Sequence, residues 1–444
     1  MECKILYLLV LLMSLCPEMK LYAADSKECR ERRERAAKAF PDGVLLLHSK
    51  AETNFLSDGY REEAAFYYLT GLENSPGAIL AVVGKSAESW LFVPPAEPTR
   101  VSDIRPGEET ARKLAIDRVV DWKELEPFLS SQAKAGAKIY YRPETAMLPD
   151  NLTAAKNIRA PGWVQVLQKD FPGVDFQPVG IRLNTLMAVE NPSEQRASEM
   201  AARATVLAFN AGLHAIHPGV SQREVELAVV AACWQGARGV SFWPWAMAGA
   251  NSVFPKPFES DSRYDHLDSP LQPGDLVRLD VGCEWEHYQG DLGRTLPVSG
   301  HFSDEQREAW NIFVAAYQAV AKEMKESLTD KRAFEIWRTE LLRHRDSAKT
   351  SLGQAAIAQW SDRKNLPYWQ MHTMNLDAGF IEGPLRPGMV IDFEPIASIG
   401  GQGYYLEDMF LIGKEGARIL TLHVPYTAEE IEAQMAGKPA PGTP

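Results

Sequence analysis

Two pairs of apolar, strand-like segments carry acidic residues where a core would ordinarily exclude them, and this constrains the chain more than anything else in it. Residues 276–282 read LVRLDVG and contain Asp280, while residues 289–297 read QGDLGRTLP and contain Asp291. The intervening CEWEHY suits a hairpin connection, and folding it back sets Asp280 beside Asp291 on neighbouring strands. A second pair repeats the idea: residues 389–395, MVIDFEP, carry Glu394, and residues 404–412, YYLEDMFLI, carry Glu407. Four carboxylates buried together repel by several kcal/mol unless they are protonated or joined to a cation. A metal resolves that cost. His372 lies between the two strand pairs and is the natural fifth ligand.

The segments around these strands read as helices with strong start signals. Asn191, Pro192 and Glu194 form a capping box with proline at the first helical position, opening a helix to about residue 216. Ser221 with Glu224 caps the next, Ser303 with Gln306 a third running to about 326, and Thr427 with Glu430 a short terminal one. Strand pairs at 276–282 with 289–298 and at 388–395 with 404–412 lie between them, so residues 186–435 are expected to be α+β, helices on an antiparallel sheet. Upstream, residues 28–40 read as a charged amphipathic helix. Apolar runs at 43–48, 78–83, 89–93 and 138–141 then alternate with helical stretches near 108–115 and 122–134. That alternation predicts an α/β domain over 28–185. Residues 436–444, rich in Pro and Gly, read as a tail.

Charge and cysteine content narrow the function. The net charge of −12 argues against nucleic acid and anionic lipid as partners. Residues 5–16, ILYLLVLLMSLC, are too short to span a bilayer, and with Lys4 before them and LYAADS after they have the layout of a secretory signal peptide covering 1–23. The chain is therefore expected to be exported, periplasmic or secreted, with no membrane attachment after cleavage. Cys29, Cys233 and Cys283 would remain, too few for a disulfide framework. They read as small buried hydrophobes with room for one bridge. His214 and His217 sit where a helix ends and read as capping or surface residues.

With these segments on the page, the order Asp, Asp, His, Glu, Glu resembles the pita-bread metallopeptidases. The phrases LVRLDVG, GDLGRT, LRPGMVIDFEP and YYLED are similar to that family's acidic motifs. The upstream half resembles the N-terminal domain of the aminopeptidase P, prolidase and creatinase branch, most clearly in YREEAAFYYLTG at 60–71. The resemblance implies an α/β N-terminal domain plus an α+β pita-bread C-terminal domain. It implies two divalent metal ions, with Asp280 chelating one, Asp291 and Glu407 bridging both, and His372 and Glu394 binding the other. Manganese, cobalt or zinc serve the family, and a mostly oxygen ligand set favours manganese. The implied reaction is hydrolysis of Xaa-Pro or related peptide bonds. A metal-bridging hydroxide would attack, and Glu394 would act as general base. A small peptide is the implied partner, with a homodimer as the implied assembly.

The substrate side departs from that pattern. The family's histidine after a Gly-Asn-like segment is missing from GANSVFPKP at 249–257, where Lys256 stands near its place. YWQMH lacks the usual His-Gly pair, Gly379 takes the place of a second histidine, and Tyr405 replaces an arginine. Lys256, Tyr404 and Tyr405 are candidate replacement donors, and Trp243, Trp245 and Met247 candidate pocket walls or core residues. These losses leave two alternatives: a non-catalytic binding protein on the same fold, or a metal-dependent hydrolase of a non-peptide amide.

Overall fold

The structure, a computed structural model, describes residues 25–50, 61–95, 104–143, 161–253, 269–376, 379–381 and 383–437. The expected signal peptide at 1–23 and Lys256 lie outside these residues. The chain forms two compact units, Met1–Leu183 and Asn184–Pro444.

The first unit is a mixed six-stranded sheet. Its strands are β1 (Gly43–His48), β2 (Ile79–Val83), β3 (Ser89–Val93), β4 (Arg118–Asp121), β5 (Lys138–Tyr141) and β6 (Phe176–Pro178). They lie in the order β4-β3-β2-β1-β5-β6, with β1, β2 and β3 antiparallel and the outer pairings parallel. The four apolar runs read from the sequence are β1, β2, β3 and β5. Strands β4 and β6 were not anticipated, because each is short and partly exposed and carries no apolar run. Helix α1 (Ser26–Ala39) was expected to be charged and amphipathic, yet Arg32 and Arg33 are buried. Their guanidinium groups donate to the Tyr68 and Leu69 carbonyls at 3.0 and 2.6 Å, satisfying orphan carbonyls at the end of α2 (Ala64–Thr70).

The second unit is built on an antiparallel sheet in the order β13-β12-β14-β15-β11-β8-β7, with β16 added to β15. Its strands are β7 (Trp245–Ala248), β8 (Leu276–Val281), β11 (Leu292–Pro297), β12 (Tyr368–Thr373), β13 (Gly379–Phe380), β14 (Val390–Ile399), β15 (Gln402–Ile412) and β16 (Ala417–Ile419). The hairpin connection between β8 and β11 carries its own ribbon, β9 (Glu284–Trp285) with β10 (Tyr288–Gln289). Strands β14 and β15 run past the expected ends at 395 and 404. Gly400 and Gly401, at φ 60° and 76°, make a two-residue turn that lets the hairpin continue.

All four capping boxes read from the sequence form. They open α3 (Pro192–Ala215), α4 (Gln222–Gly236), α5 (Asp304–Lys322) and α8 (Ala428–Met435). Helices α6 (Asp330–Arg343) and α7 (Ser351–Trp360) complete the layer. One core joins these helices to one face of the sheet: Phe209, Val229, Phe313, Trp337 and Trp360 meet Val277, Leu279, Phe393 and Leu406. Gly212 on α3 permits close packing, since a Cβ there would come within 2.7 Å of Val229 and 3.0 Å of Leu279. Among the described residues no helix is long and apolar enough to cross a membrane.

Cys233 and Cys283 form a disulfide with Cα atoms 5.3 Å apart, joining the last turn of α4 to the segment after β8. The sequence favours small buried hydrophobes with one bridge possible, and this bridge is the one that forms. The tertiary packing of α4 over the end of β8 brings them together, which sequence spacing does not reveal. Cys29 is a buried free thiol.

Candidate metal centre

Strand alternation decides which side chains reach the sheet face away from the helices. Along β8, Val277, Leu279 and Val281 join the helix-side core, so Arg278 and Asp280 project from the other face. Along β14, Ile391 and Phe393 go to the core and Asp392 and Glu394 do not. Along β15, Tyr404, Leu406 and Phe410 go to the core, leaving Tyr405 and Glu407 opposite.

Register then lines these residues up. Gly293 on β11 pairs with Asp280 on one side and with Glu407 on the other. Trp245 on β7 pairs with Asp280. The register that sets Phe393 against Asp408 and Ile396 against Tyr405 brings Glu394 opposite Glu407. Gln370 and His372 on β12 pair with Glu394 and Asp392. Asp291 directly precedes β11, where Leu292 pairs with Val281, so it falls on the same face as Asp280. Gly293 is required in the middle of the row. A Cβ there would come within 1.9 Å of the Tyr405 ring, whose hydroxyl donates to the Glu407 carboxylate.

Five residues expected as a group thus share one site: Asp280, Asp291, His372, Glu394 and Glu407, all 1–8 % exposed. Ligand atoms of Asp291, His372 and Glu407 lie within 4.8 Å of one another, a set that could hold a metal ion. His372 Nε2 is 3.2 Å from Glu394 Oε2 and 3.4 Å from Glu407 Oε1, while its Nδ1 faces the Thr373 carbonyl at 3.4 Å. One oxygen each of Asp280, Asp291 and Glu407 is buried with no hydrogen-bond partner. Buried orphaned acceptors of this kind on one sheet face fit a cation.

The electrostatics describe the same site without its cation. Burial, then the nearby Glu407 carboxylate, lift Asp280 and Asp291 well above the usual carboxylate range. Burial and Glu407 push Glu394 up to about 7. Burial pulls the His372 imidazole down, but its bond to Glu394 and the nearby Glu407 carboxylate outweigh that and hold it well above its ordinary value. The cluster therefore takes up protons wherever a cation does not replace them.

Two residues of the site were not singled out from the sequence. Asp392 is fully buried, both its oxygens lack a hydrogen-bond partner, and burial raises its pKa well above normal. Arg278 is 3 % exposed, donates from Nε to the Ser252 carbonyl at 2.6 Å, and lies 5.7 Å from the centre of the Tyr405 ring. Its Nη2 has no partner. A signal was available: each stands two residues before a candidate acid, and a period of two puts them on one face.

The expected substrate residues divide. Tyr405 stands in the site. Trp245 faces Asp280 across the strand pair. Trp243 is 47 % exposed and its indole donates to Glu226 at 3.0 Å. Tyr404 is a correction: its ring packs 5.1 Å from Trp360 and 6.5 Å from Phe313 in the helix-side core, because adjacent strand residues point to opposite faces. Met247 is buried at 2 %. His214 and His217 are exposed where α3 ends.

Residues 196–419 match the model of metallopeptidase family M24, and residues 29–140 match that of the aminopeptidase P N-terminal domain. The chain is 26 % identical to the Xaa-Pro aminopeptidase of Haemophilus influenzae over 441 residues, covering 92 % of this chain and 97 % of that one. It is equally 26 % identical to the Xaa-Pro aminopeptidase of Escherichia coli, covering 91 % and 96 %. The fold is shared with the solved structure of proline aminopeptidase P II from Yersinia pestis, with a TM-score of 0.69 at 24 % identity over 93 % of this chain and all of that one.

Proposed function

The chain belongs to metallopeptidase family M24, and from that premise we propose that it is an exported, dinuclear Xaa-Pro aminopeptidase-like enzyme. The observation that carries the reading is the placement of Asp280, Asp291, His372, Glu394 and Glu407 on one buried face, with an unpartnered oxygen on each of Asp280, Asp291 and Glu407. The Xaa-Pro preference is taken from relatives that match nearly end to end.

Asp280 would hold one divalent ion and His372 and Glu394 the other, with Asp291 and Glu407 shared. Manganese suits four carboxylates with a single imidazole. When bound, such ions polarise the scissile carbonyl and acidify the attacking water. Glu394 would accept a proton at its carboxylate and return it to the leaving nitrogen. Tyr405 fixes Glu407 through its hydroxyl and closes the face above Gly293. Export is supported by the apolar run at 5–16 and by the Cys233–Cys283 bridge, which suits an oxidising compartment.

The test is a manganese-loaded assay on Xaa-Pro dipeptides and longer Xaa-Pro peptides, alongside metal analysis after mild purification. Release of the residue before proline, with close to two equivalents of metal, is the expected result. Metal uptake with no cleavage of any peptide would move the reading to a non-peptide amide. Less than one equivalent, with no rise on adding manganese, would sink the metal centre.

A further inference from the structure

Asp280, His372, Glu394 and Glu407 all lie inside strands that have a hydrogen-bonded neighbour on each side. Asp291 does not. It directly precedes β11, and the ladder between β8 and β11 ends at the pair Val281 and Leu292. Its position is therefore set by the neck of the hairpin connection, where residues 282–283 lie against Gly290 and the chain passes from the sheet into the β9–β10 ribbon.

That neck is built on glycines and cannot lock itself through side chains. A Cβ on Gly282 would come within 2.2 Å of the Gly290 carbonyl oxygen, and one on Gly290 within 2.2 Å of Thr205 Oγ1. Its order comes from the elements around it. The Gly290 amide donates to the Cys283 carbonyl at 2.9 Å, and the Cys283 amide donates to Thr205 Oγ1 on α3 at 2.9 Å. The chain leaving α4 lies alongside. The Ser241 amide donates to the Gly282 carbonyl at 2.9 Å, Ser241 Oγ accepts from the Gly290 amide at 3.2 Å, and Glu284 exchanges backbone bonds with Arg238 and Gly239. The Cys233–Cys283 bridge ties the last turn of α4 to the middle of this neck.

From this geometry we infer that the Cys233–Cys283 bridge is a positioning device for the metal centre: it clamps the neck that carries Asp291, so the chain holds divalent metal tightly only once the two thiols have been oxidised. Forming the bridge joins the two sulfurs, and the two electrons and two protons given up pass to a disulfide oxidant, which leaves as two thiols. Both cysteines are fully buried, so the finished bridge is shielded from thiols in solution and is set once, as the chain folds. The inference rests on the metal-centre reading above and adds the condition under which that centre forms.

The experiment compares oxidised wild type, Cys233→Ala/Cys283→Ala, and wild type purified under a dithiol reductant that is removed before measurement. Each is titrated calorimetrically with manganese, starting from the folded, metal-free form. Loss of the bridge should weaken manganese binding about 10- to 100-fold, the usual effect of disturbing a group that supports a metal ligand. The reduced wild type keeps every side chain, so it carries the comparison should the double variant not fold. Two readouts separate positioning from a general loss of stability. Backbone hydrogen exchange should speed up at Gly290 and the ribbon amides, and not at Phe393 in β14 or Leu406 in β15. In an Asp291→Asn background, removing the bridge should cost no further affinity, because both changes act through one group. Exchange that rises equally in β14 and β15, or a loss that adds to that of Asp291→Asn, would overturn the proposal. Wild type that takes up no manganese would sink the metal centre itself, whereas manganese bound as tightly without the bridge as with it would sink only the positioning role.

Discussion

His372 and Asp392 face each other across β12 and β14, yet the imidazole bonds to Glu394 and Thr373 and leaves both oxygens of Asp392 without a partner. A fully buried carboxylate in that position has to carry a proton or answer a cation. The four acids and one histidine expected from the sequence are thereby joined by one more acidic group that belongs to the same charge balance.

Replacing Asp392 by Asn keeps the shape and removes the charge. The metal-free protein should then be at least as stable as wild type, because one ionisable group no longer has to be held neutral. Affinity for divalent metal should fall by roughly 10- to 100-fold, the usual effect of removing a supporting group at a metal site. Calorimetric titration with manganese checks this, and unchanged affinity would mean that Asp392 stays protonated when the metal is bound.

The pH dependence of the metal-free protein follows from the same cluster. Asp280, Asp291, Asp392 and Glu394 have folded-state pKa values above their ordinary ones, chiefly through burial. The folded form therefore binds more protons than the unfolded form once pH passes the ordinary carboxylate range. Stability from this cluster is fully present at low pH and is lost as pH rises, for Glu394 between 4.5 and about 7. His372, also raised, loses its contribution in the same direction. Manganese should thus raise Tm more at pH 8 than at pH 5. An equal or smaller rise at pH 8 would show that these carboxylates are not the groups the metal relieves.

On the helix side of the sheet, Asp408 makes a closed network. Arg294 Nη2 reaches its two oxygens at 3.0 and 3.2 Å, and Thr421 and Tyr426 hydroxyls donate to it at 2.7 Å each. Both partners of the ion pair are fully buried. Asp408→Ala should cost about 3–5 kcal/mol in denaturant unfolding, because it strands a buried guanidinium. Arg294→Met combined with Asp408→Leu should recover much of that loss, and failure to do so would assign the cost to the cavity rather than to the stranded charge.

Much of this site was legible in the sequence because strands obey a period of two. Apolar neighbours on both sides of Asp280 and Glu394, and the apolar strand around Glu407, announce that each acid is buried, and four of the helices around them announce their starts through capping boxes formed by local bonds. The same rule, applied one step further, separates Tyr404 from Tyr405 and adds Arg278 and Asp392 to the face. It was the adjacency of Tyr404 and Tyr405 in sequence that made them look like one feature.

Local pattern therefore determined the elements, the class of each half and the acids that belong together, since propensity, capping and alternation act over a few residues. Only the tertiary structure decided the rest. The register that places Gly293 between Asp280 and Glu407, the pairing of Cys233 with Cys283 across 50 residues, and the hold of the Ser252 carbonyl on Arg278 all depend on which strands and helices become neighbours. Those are long-range contacts. Their energy comes from burying whole faces against one another, and no short stretch of sequence carries it.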